Sequence, residues 1–341
     1  MHQTPLHDDF LYCWAILPRV SRSFALGISL LSKNLKDAVM VSYLLFRISD
    51  TIEDAFLPKR TQVKLLDAFQ KILGHPVYHE IAVLRLQASL VKHHFDHEDN
   101  LMRHIGPVLH VYFSLPLGVR AIICRWISEM NKHARIYNNK LITTFKEQNI
   151  YCYYAAGVVG HLLTDLFSSY GSYSGEKKKQ LHALAAAFGL ALQKVNIIKD
   201  LHKDVQEKRY YWPQTLLKNY GLTYKTLFQA KHFAKASKVL DQMLADALPS
   251  LDKAAQYIML LPKRPLRVRV FCLIALLMAV YSLGEYRRRF HELIQGGEVK
   301  MPRKQVLHIV RKSFLYTLSD TFFLSWYRKE KALHLFHTQS L

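Results

Sequence analysis

Two aspartate pairs hold the chemistry this chain suggests. Asp50 and Asp54 stand four apart in Phe46–Pro58, FRISDTIEDAFLP, with Glu53 between them. Four residues make slightly more than one helical turn, so both carboxylates point to one face. Arg47 and Tyr43 extend that face backwards, in a stripe 43, 47, 50, 54. The flanking residues Val39, Met40, Val41, Leu44, Leu45 and Phe46 are apolar. A polar stripe on so apolar a helix is costly to bury unless something pairs with it. Carboxylates on adjacent turns suit a hard divalent cation such as Mg2+, which takes oxygen ligands and is usually shared with substrate phosphate. The pattern recurs in NIIKDLHKD, where Asp200 and Asp204 are again four apart and Gln193 and Asn196 prolong the stripe. The long intervening chain puts the pairs on different helices. Facing each other, they would form a pocket with four carboxylates and apolar walls.

The elements that must position these residues read as helices. Gly (13) and Pro (11) are scarce among 341 residues, half of which are apolar, so short loops joining helices are expected. Helices are expected at about 35–56, ending before Pro58, at 120–137, 151–167 and 181–205, then at 224–248, 251–261, 268–290 and 304–331. Residues 60–105 read as one or two amphipathic helices. Residues 1–9 and about 327–341 are expected to be loose. No strand alternation and no linker stand out, so the reading is one all-α domain spanning 1–341. Gly157 and Gly160 sit inside an apolar helix, where glycine costs about 1 kcal/mol against alanine. They mark either a tight helix crossing or room for a substrate chain.

The net charge of +21 fits nucleic acid, an anionic membrane surface or an anionic substrate. The basic residues are spread out and no nucleic-acid-binding motif occurs, so no nucleic-acid partner is expected. The four cysteines are far apart and form no C-x-x-C, which fits a reducing compartment and argues against a zinc site. The N-terminal residues lack a signal-peptide pattern. The longest apolar run, Val270–Leu283, is short for a bilayer span and suits a core helix. A cytoplasmic location is expected, with peripheral membrane contact through the basic, aromatic stretch Trp326–Leu341.

Several blocks in order resemble the squalene and phytoene synthase family, most of all its eukaryotic-type squalene synthases. They are SRSF at Ser21–Phe24, YLLFRISDTIED at Tyr43–Asp54, YCYYAAGVVG at Tyr151–Gly160, LQKVNIIKDLHKD at Leu192–Asp204, RYYWP at Arg209–Pro213 and FCLI at Phe271–Ile274. The resemblance implies the isoprenoid synthase fold, a single all-α bundle around a central cavity. It implies head-to-head coupling of two farnesyl diphosphates through presqualene diphosphate, then reduction to squalene with NADPH. Mg2+ would be held by Asp50, Glu53, Asp54, Asp200 and Asp204. Arg22, Arg47 and Arg209 would bind diphosphate, with Ser21, Phe24, Gln193 and Asn196 lining the pocket. Tyr43 and Tyr151 would be catalytic tyrosines, and Phe271 an aromatic wall for the second step.

The departures bear mainly on that second step. Lys203 stands where the family usually has Glu, and Lys199 where it commonly has Arg. Glu207-Lys208 replaces a pair that is often glycine-rich, and Ala275-Leu276 follows FCLI in place of Pro-Gln. The C-terminal membrane anchor of the eukaryotic enzymes has no counterpart in the sequence. The same fold making dehydrosqualene, phytoene or presqualene diphosphate is the alternative. A basic helical binding protein would explain the charge but not the two Asp stripes.

Overall fold

The computed structural model describes residues 6–55, 57–75, 97–136, 141–264 and 266–335. Among these the regular elements are helical, and an isolated bridge pairs Leu141 with Tyr210. The described residues fall into two compact units, one drawn from 1–138 and 162–174, the other from 139–161 and 175–341.

The first unit contains α1 (Leu6–Val20), α2 (Arg22–Ser29), α3 (Lys33–Asp54), α4 (Lys59–Gly74), α5 (His97–Arg103), α6 (Ile105–Ser114) and α7 (Leu117–Ile136). Helix α3 is its axis. Leu35, Val39, Leu44, Leu45, Ile48 and Ile52 are buried on it, as the apolar residues around the polar stripe require. It stops at Ala55, which turns to extended backbone three residues before Pro58. Ser49 Oγ donates to Asn131 Oδ1 at 2.6 Å, tying α3 to α7.

The second unit opens with α8 (Phe145–Cys152) and a π turn, Tyr153–Gly157, that leads into α9 (Val158–Gly171), whose residues from Leu162 on belong to the first unit. Next come α10 (Gly175–Lys199), α11 (Leu201–Gln206), α12 (Gln214–Asn219) and α13 (Phe233–Leu260). The last four are α14 (Leu266–Arg288), α15 (Phe290–Ile294), α16 (Arg303–Tyr316) and α17 (Asp320–Leu335). Lys194 on α10 is buried and pairs with the Asp246 carboxylate of α13 at 2.6 Å.

The structure settles the two readings of the glycines. A Cβ on Gly160 would lie 2.0 Å from the carbonyl oxygen of Ala185, and one on Gly189 would lie 2.0 Å from that of Ala156. Both sides of the crossing need glycine, so the close approach is a helix crossing and leaves no space for substrate there.

Several boundaries differ from expectation for physical reasons. Residues 6–9 are helical, and Asp9 is buried against His110 at 3.1 Å. The helices expected at 224–248 and 251–261 become a turn followed by one helix. Thr223 and Thr226 each accept from the other's backbone N–H, which closes the turn locally. Pro249 does not break α13, because Ala247, Ser250 and Leu251 are buried around it. The helix expected at 304–331 splits, and Ser319 Oγ accepts from Phe322 N at 3.4 Å to start α17. Residues 327–335 are not loose: Tyr327 is buried and donates to Asp252 at 2.8 Å.

By length and composition α10 and α14 would each cross a membrane, but 50% and 72% of their apolar windows are buried in the structure. The run Val270–Leu283 lies within α14, as a core helix.

Arg269 on α14 is fully buried and donates to Asp320 at 2.5 Å and to the Leu261 carbonyl at 3.3 Å. Burial acts to raise the Asp320 pKa, but Arg269 and Lys263 outweigh it and hold the carboxyl below its ordinary value. A depressed carboxyl pKa stabilises above its unfolded value, and that contribution disappears as pH falls through the folded value. Asp320→Asn leaves a buried cation without its counter-charge, a large loss of which the half-exposed partner returns part. We expect a loss of about 2 kcal/mol at pH 7 that shrinks below about pH 4, read from urea unfolding at both pH values. Equal stability of the variant and the parent at pH 7 would discard the pair as a structural element.

Candidate active site

In the first unit, α3 delivers its stripe as a connected set. Ser21 caps α2, its Oγ accepting from Phe24 N at 3.4 Å, and its side chain also hydrogen-bonds to Tyr43. The Phe24 and Tyr43 rings are tilted, with centroids 5.4 Å apart. Burial raises the Tyr43 phenol pKa, with the Ser21 hydrogen bond and Arg47 pulling against it, so the phenol stays neutral and keeps a proton to give. Arg47 lies 4.0 Å from Asp50 and pairs with Glu98. Burial alone would lower its pKa, but Asp50 and Glu98 outweigh that and keep the guanidinium charged.

Asp50 is the most perturbed carboxyl in this set. Burial pushes it up to about 8, Arg47 opposes, and Asp54, Glu53 and Glu98 add to the rise. Its side chain is nevertheless 38% exposed. A carboxyl that is reachable and crowded by negative charge favours a cation beside it, and on this stripe Arg47 supplies one. Asp54, one turn on, is exposed. Glu53, expected in the ligand set, has its carboxylate 2.8 Å from His133 Nδ1 of α7. The Arg22 side chain lies outside the described residues.

In the second unit, the helix expected over 181–205 begins at Gly175 and is interrupted at Asp200. There the backbone relaxes to φ −93, ψ 8, yet Asp200 still accepts from Asp204 N at 2.8 Å. The pair therefore keeps helical spacing across a slight break. Lys199 lies 3.2 Å from Asp200 and donates to Asn196 Oδ1 at 3.4 Å. Asp204 is buried and lies 3.4 Å from Arg209, whose backbone N–H donates to the Asp204 carbonyl at 2.7 Å. Arg209 also pairs with Glu207. Gln193 is half-buried and Asn196 exposed.

The segment after Arg209 is lashed down from both sides. Ile142 N donates to the Tyr210 carbonyl at 2.9 Å, and the buried Trp212 donates Nε1–H to the Ile197 carbonyl at 3.2 Å. Tyr151 stacks on Tyr211 with centroids 4.4 Å apart and planes 19° off parallel. Gln148 holds the Tyr211 carbonyl at 2.7 Å. Phe271 is buried on α14. Lys203 is 70% exposed and pairs with Glu207 at 3.9 Å, so its charge points to solvent.

Lys208 has φ 58, in the left-handed region where glycine is favoured. That is the physical reason a glycine would be preferred at this turn. Lys208→Gly should leave stability unchanged or raise it by up to about 1 kcal/mol. A clear drop in the thermal midpoint would show that the lysine side chain contributes more than its backbone strain costs.

Sequence reasoning missed Glu98, His133, Tyr211 and Tyr286. Tyr286 is buried, its phenol pushed up to about 12 by burial with Asp200 adding to the rise. Glu98 and Tyr286 had no spacing signal, since only the folded chain brings them to the stripes.

The model of the squalene/phytoene synthase family matches residues 17–305. The chain belongs to this family. It is 31% identical over 300 residues to a squalene synthase of Dictyostelium discoideum, covering 88% of this chain and 69% of that protein. It is 28% identical to squalene synthase 1 of Panax ginseng, covering 94% and 73%. The solved complex of TcSQS with BPH1237 superposes with a TM-score of 0.83 at 27% identity, covering 98% of this chain and 94% of that one. A dehydrosqualene synthase structure at 20% identity and a TM-score of 0.59 shares the fold. This squalene/phytoene synthase is thus a prenyltransferase of the all-α isoprenoid synthase fold.

Proposed function

We propose that this enzyme couples two farnesyl diphosphates head to head through presqualene diphosphate and then reduces the product to squalene with NADPH. The observation that carries the first half is the polar stripe on α3, where Asp50, 38% exposed, lies 4.0 Å from Arg47 and one turn from the exposed Asp54. Such a group fits a divalent cation, which favours the ionised form. Asp50, Asp54, Asp200 and Asp204 would hold Mg2+, which supplies Lewis-acid neutralisation of the departing diphosphate when bound.

The chain's own residues do the rest of this step. Arg47 and Arg209 offer planar guanidinium groups suited to bidentate phosphate contacts. Each is partnered by acids, Arg47 by Asp50 and Glu98 and Arg209 by Asp204 and Glu207, so each is held in place before an anion arrives. Tyr43, kept neutral and close to Arg47, would relay the proton lost as the cyclopropane closes, taking it at the phenol oxygen while passing its own proton to the departing diphosphate. The stacked Tyr151 and Tyr211 rings would present an aromatic face to a carbocation.

The reductive half has a different footing. Around Phe271, residues Cys272, Leu273, Ile274 and Leu276 are buried and apolar, and offer a dinucleotide no polar group. That half rests on the squalene synthases to which the chain is similar. The alternative product without reduction is favoured by Ala275-Leu276 in place of Pro-Gln.

Incubation with farnesyl diphosphate and Mg2+, with and without NADPH, followed by product analysis, tests the proposal. Squalene formed only with NADPH supports it. Presqualene diphosphate or dehydrosqualene in both tubes moves the reading to the alternative. No diphosphate release in either tube ends it.

A further inference from the structure

The C-terminal helices carry an apolar face that the fold leaves uncovered. On α16 the inward residues are Ile309 and Ser313, both fully buried. With 100° between successive residues, Lys304, Leu307, Phe314 and Leu315 fall within about 60° of Arg311 on the opposite side. All five are exposed. Past the end of α16, Leu318 and Phe322, the latter in the first turn of α17, are each 64% exposed. Scattered exposed leucines are ordinary; five large apolar side chains exposed within sixteen residues are not.

Charge identifies what would cover this face. Between residues 303 and 335 there are seven Lys or Arg and two acidic residues, Asp320 and Glu330. Both acids are already engaged, Asp320 by Arg269 and Lys263, Glu330 by Trp326 and His334. The exposed charges bordering the apolar stripe are therefore cations: Arg303, Lys304, Arg311, Arg328 and Lys329. A second copy of this chain would bring the same cations against them. An anionic bilayer offers what the face lacks, with acyl chains for the leucine and phenylalanine side chains and headgroup phosphates for the basic ones, whose stems reach outward.

We propose that α16 and the first turn of α17 rest on the surface of an anionic lipid bilayer, with Leu315, Leu318 and Phe322 inserted at the headgroup boundary. Within the aromatic stretch from Trp326, Trp326 and Tyr327 are buried in the fold, and 336–341 lie outside the described residues. The face belongs to the second unit alone and does not depend on which product the enzyme makes.

Vesicle co-sedimentation of the full chain tests this. Vesicles of phosphatidylcholine alone are compared with vesicles containing about a third phosphatidylglycerol, at low and high salt. The triple variant Leu315→Ser, Leu318→Ser, Phe322→Ser and the single variant Arg311→Glu are run beside the parent, with circular dichroism to confirm that each folds. We expect binding to anionic vesicles, at least tenfold weaker in the triple variant and roughly fivefold or more weaker in Arg311→Glu. Three results would overturn the proposal: no binding by the parent, equal binding by parent and triple variant, or equal binding to neutral and anionic vesicles. Self-association that the triple variant abolishes, without vesicle binding, would assign the face to a second copy instead.

Discussion

Asp50→Asn lowers the release of diphosphate from farnesyl diphosphate by about a thousandfold, with Mg2+ saturating, on the proposed chemistry. Asparagine keeps the size of the side chain and removes the charge that a cation would need. Asp50 has Arg47 at 4.0 Å, but burial and the neighbouring Asp54, Glu53 and Glu98 work against its ionised form, so little folding stability is expected to depend on that pair. The variant should thus fold at least as well as its parent while losing turnover, a split that a structural role would not give. Asp200→Asn should show the same loss. Single-turnover diphosphate release, with circular dichroism as the folding control, reads both. Near-normal turnover in either variant refutes the metal assignment.

Gly189→Ala is the second large effect, and it falls on the fold. The added methyl would sit 2.0 Å from the Ala156 carbonyl oxygen and 2.4 Å from its carbon. The obstacle is backbone, so no rotamer change relieves it and α10 must move from the π turn that leads into α9. Overpacking typically costs about 1–3 kcal/mol, and a clash with backbone belongs at or above the top of that range. Thermal unfolding should show a midpoint clearly lowered against Gly118→Ala, where the new methyl meets nothing within 4 Å. Matching midpoints for the two variants would mean the crossing is looser than the structure has it. The π turn Tyr153–Gly157 begins two residues after Tyr151, so Gly189→Ala should also disturb the Tyr151 and Tyr211 stack and reduce activity.

The sequence made legible whatever depended on local spacing. The 43, 47, 50, 54 stripe predicted α3 and its polar face, and Pro58 predicted its end. Gln193, Asn196, Asp200 and Asp204 likewise predicted one helical face, although the break at Asp200 carried no signal because the hydrogen bonds run on through it. What stayed hidden depended on contacts distant in the chain. Glu98 reaches Arg47 across 51 residues, and His133 takes Glu53 across 80. The expected break between 248 and 251 does not occur, because packing overrides local propensity and α13 is buried on both sides of Pro249. Lys208 looked like a change of chemistry; its φ shows that the turn's geometry persists with a lysine under strain. Lys203, standing where the family usually has Glu, pairs with Glu207 and points to solvent.

Titration calorimetry of inorganic diphosphate with and without Mg2+, on the parent, Asp50→Asn and Asp200→Asn, tests most directly the proposal that each acidic stripe serves diphosphate through Mg2+. The expected result is Mg2+-dependent binding by the parent, weakened about tenfold or more in each variant. Binding that either substitution leaves unchanged would contradict it.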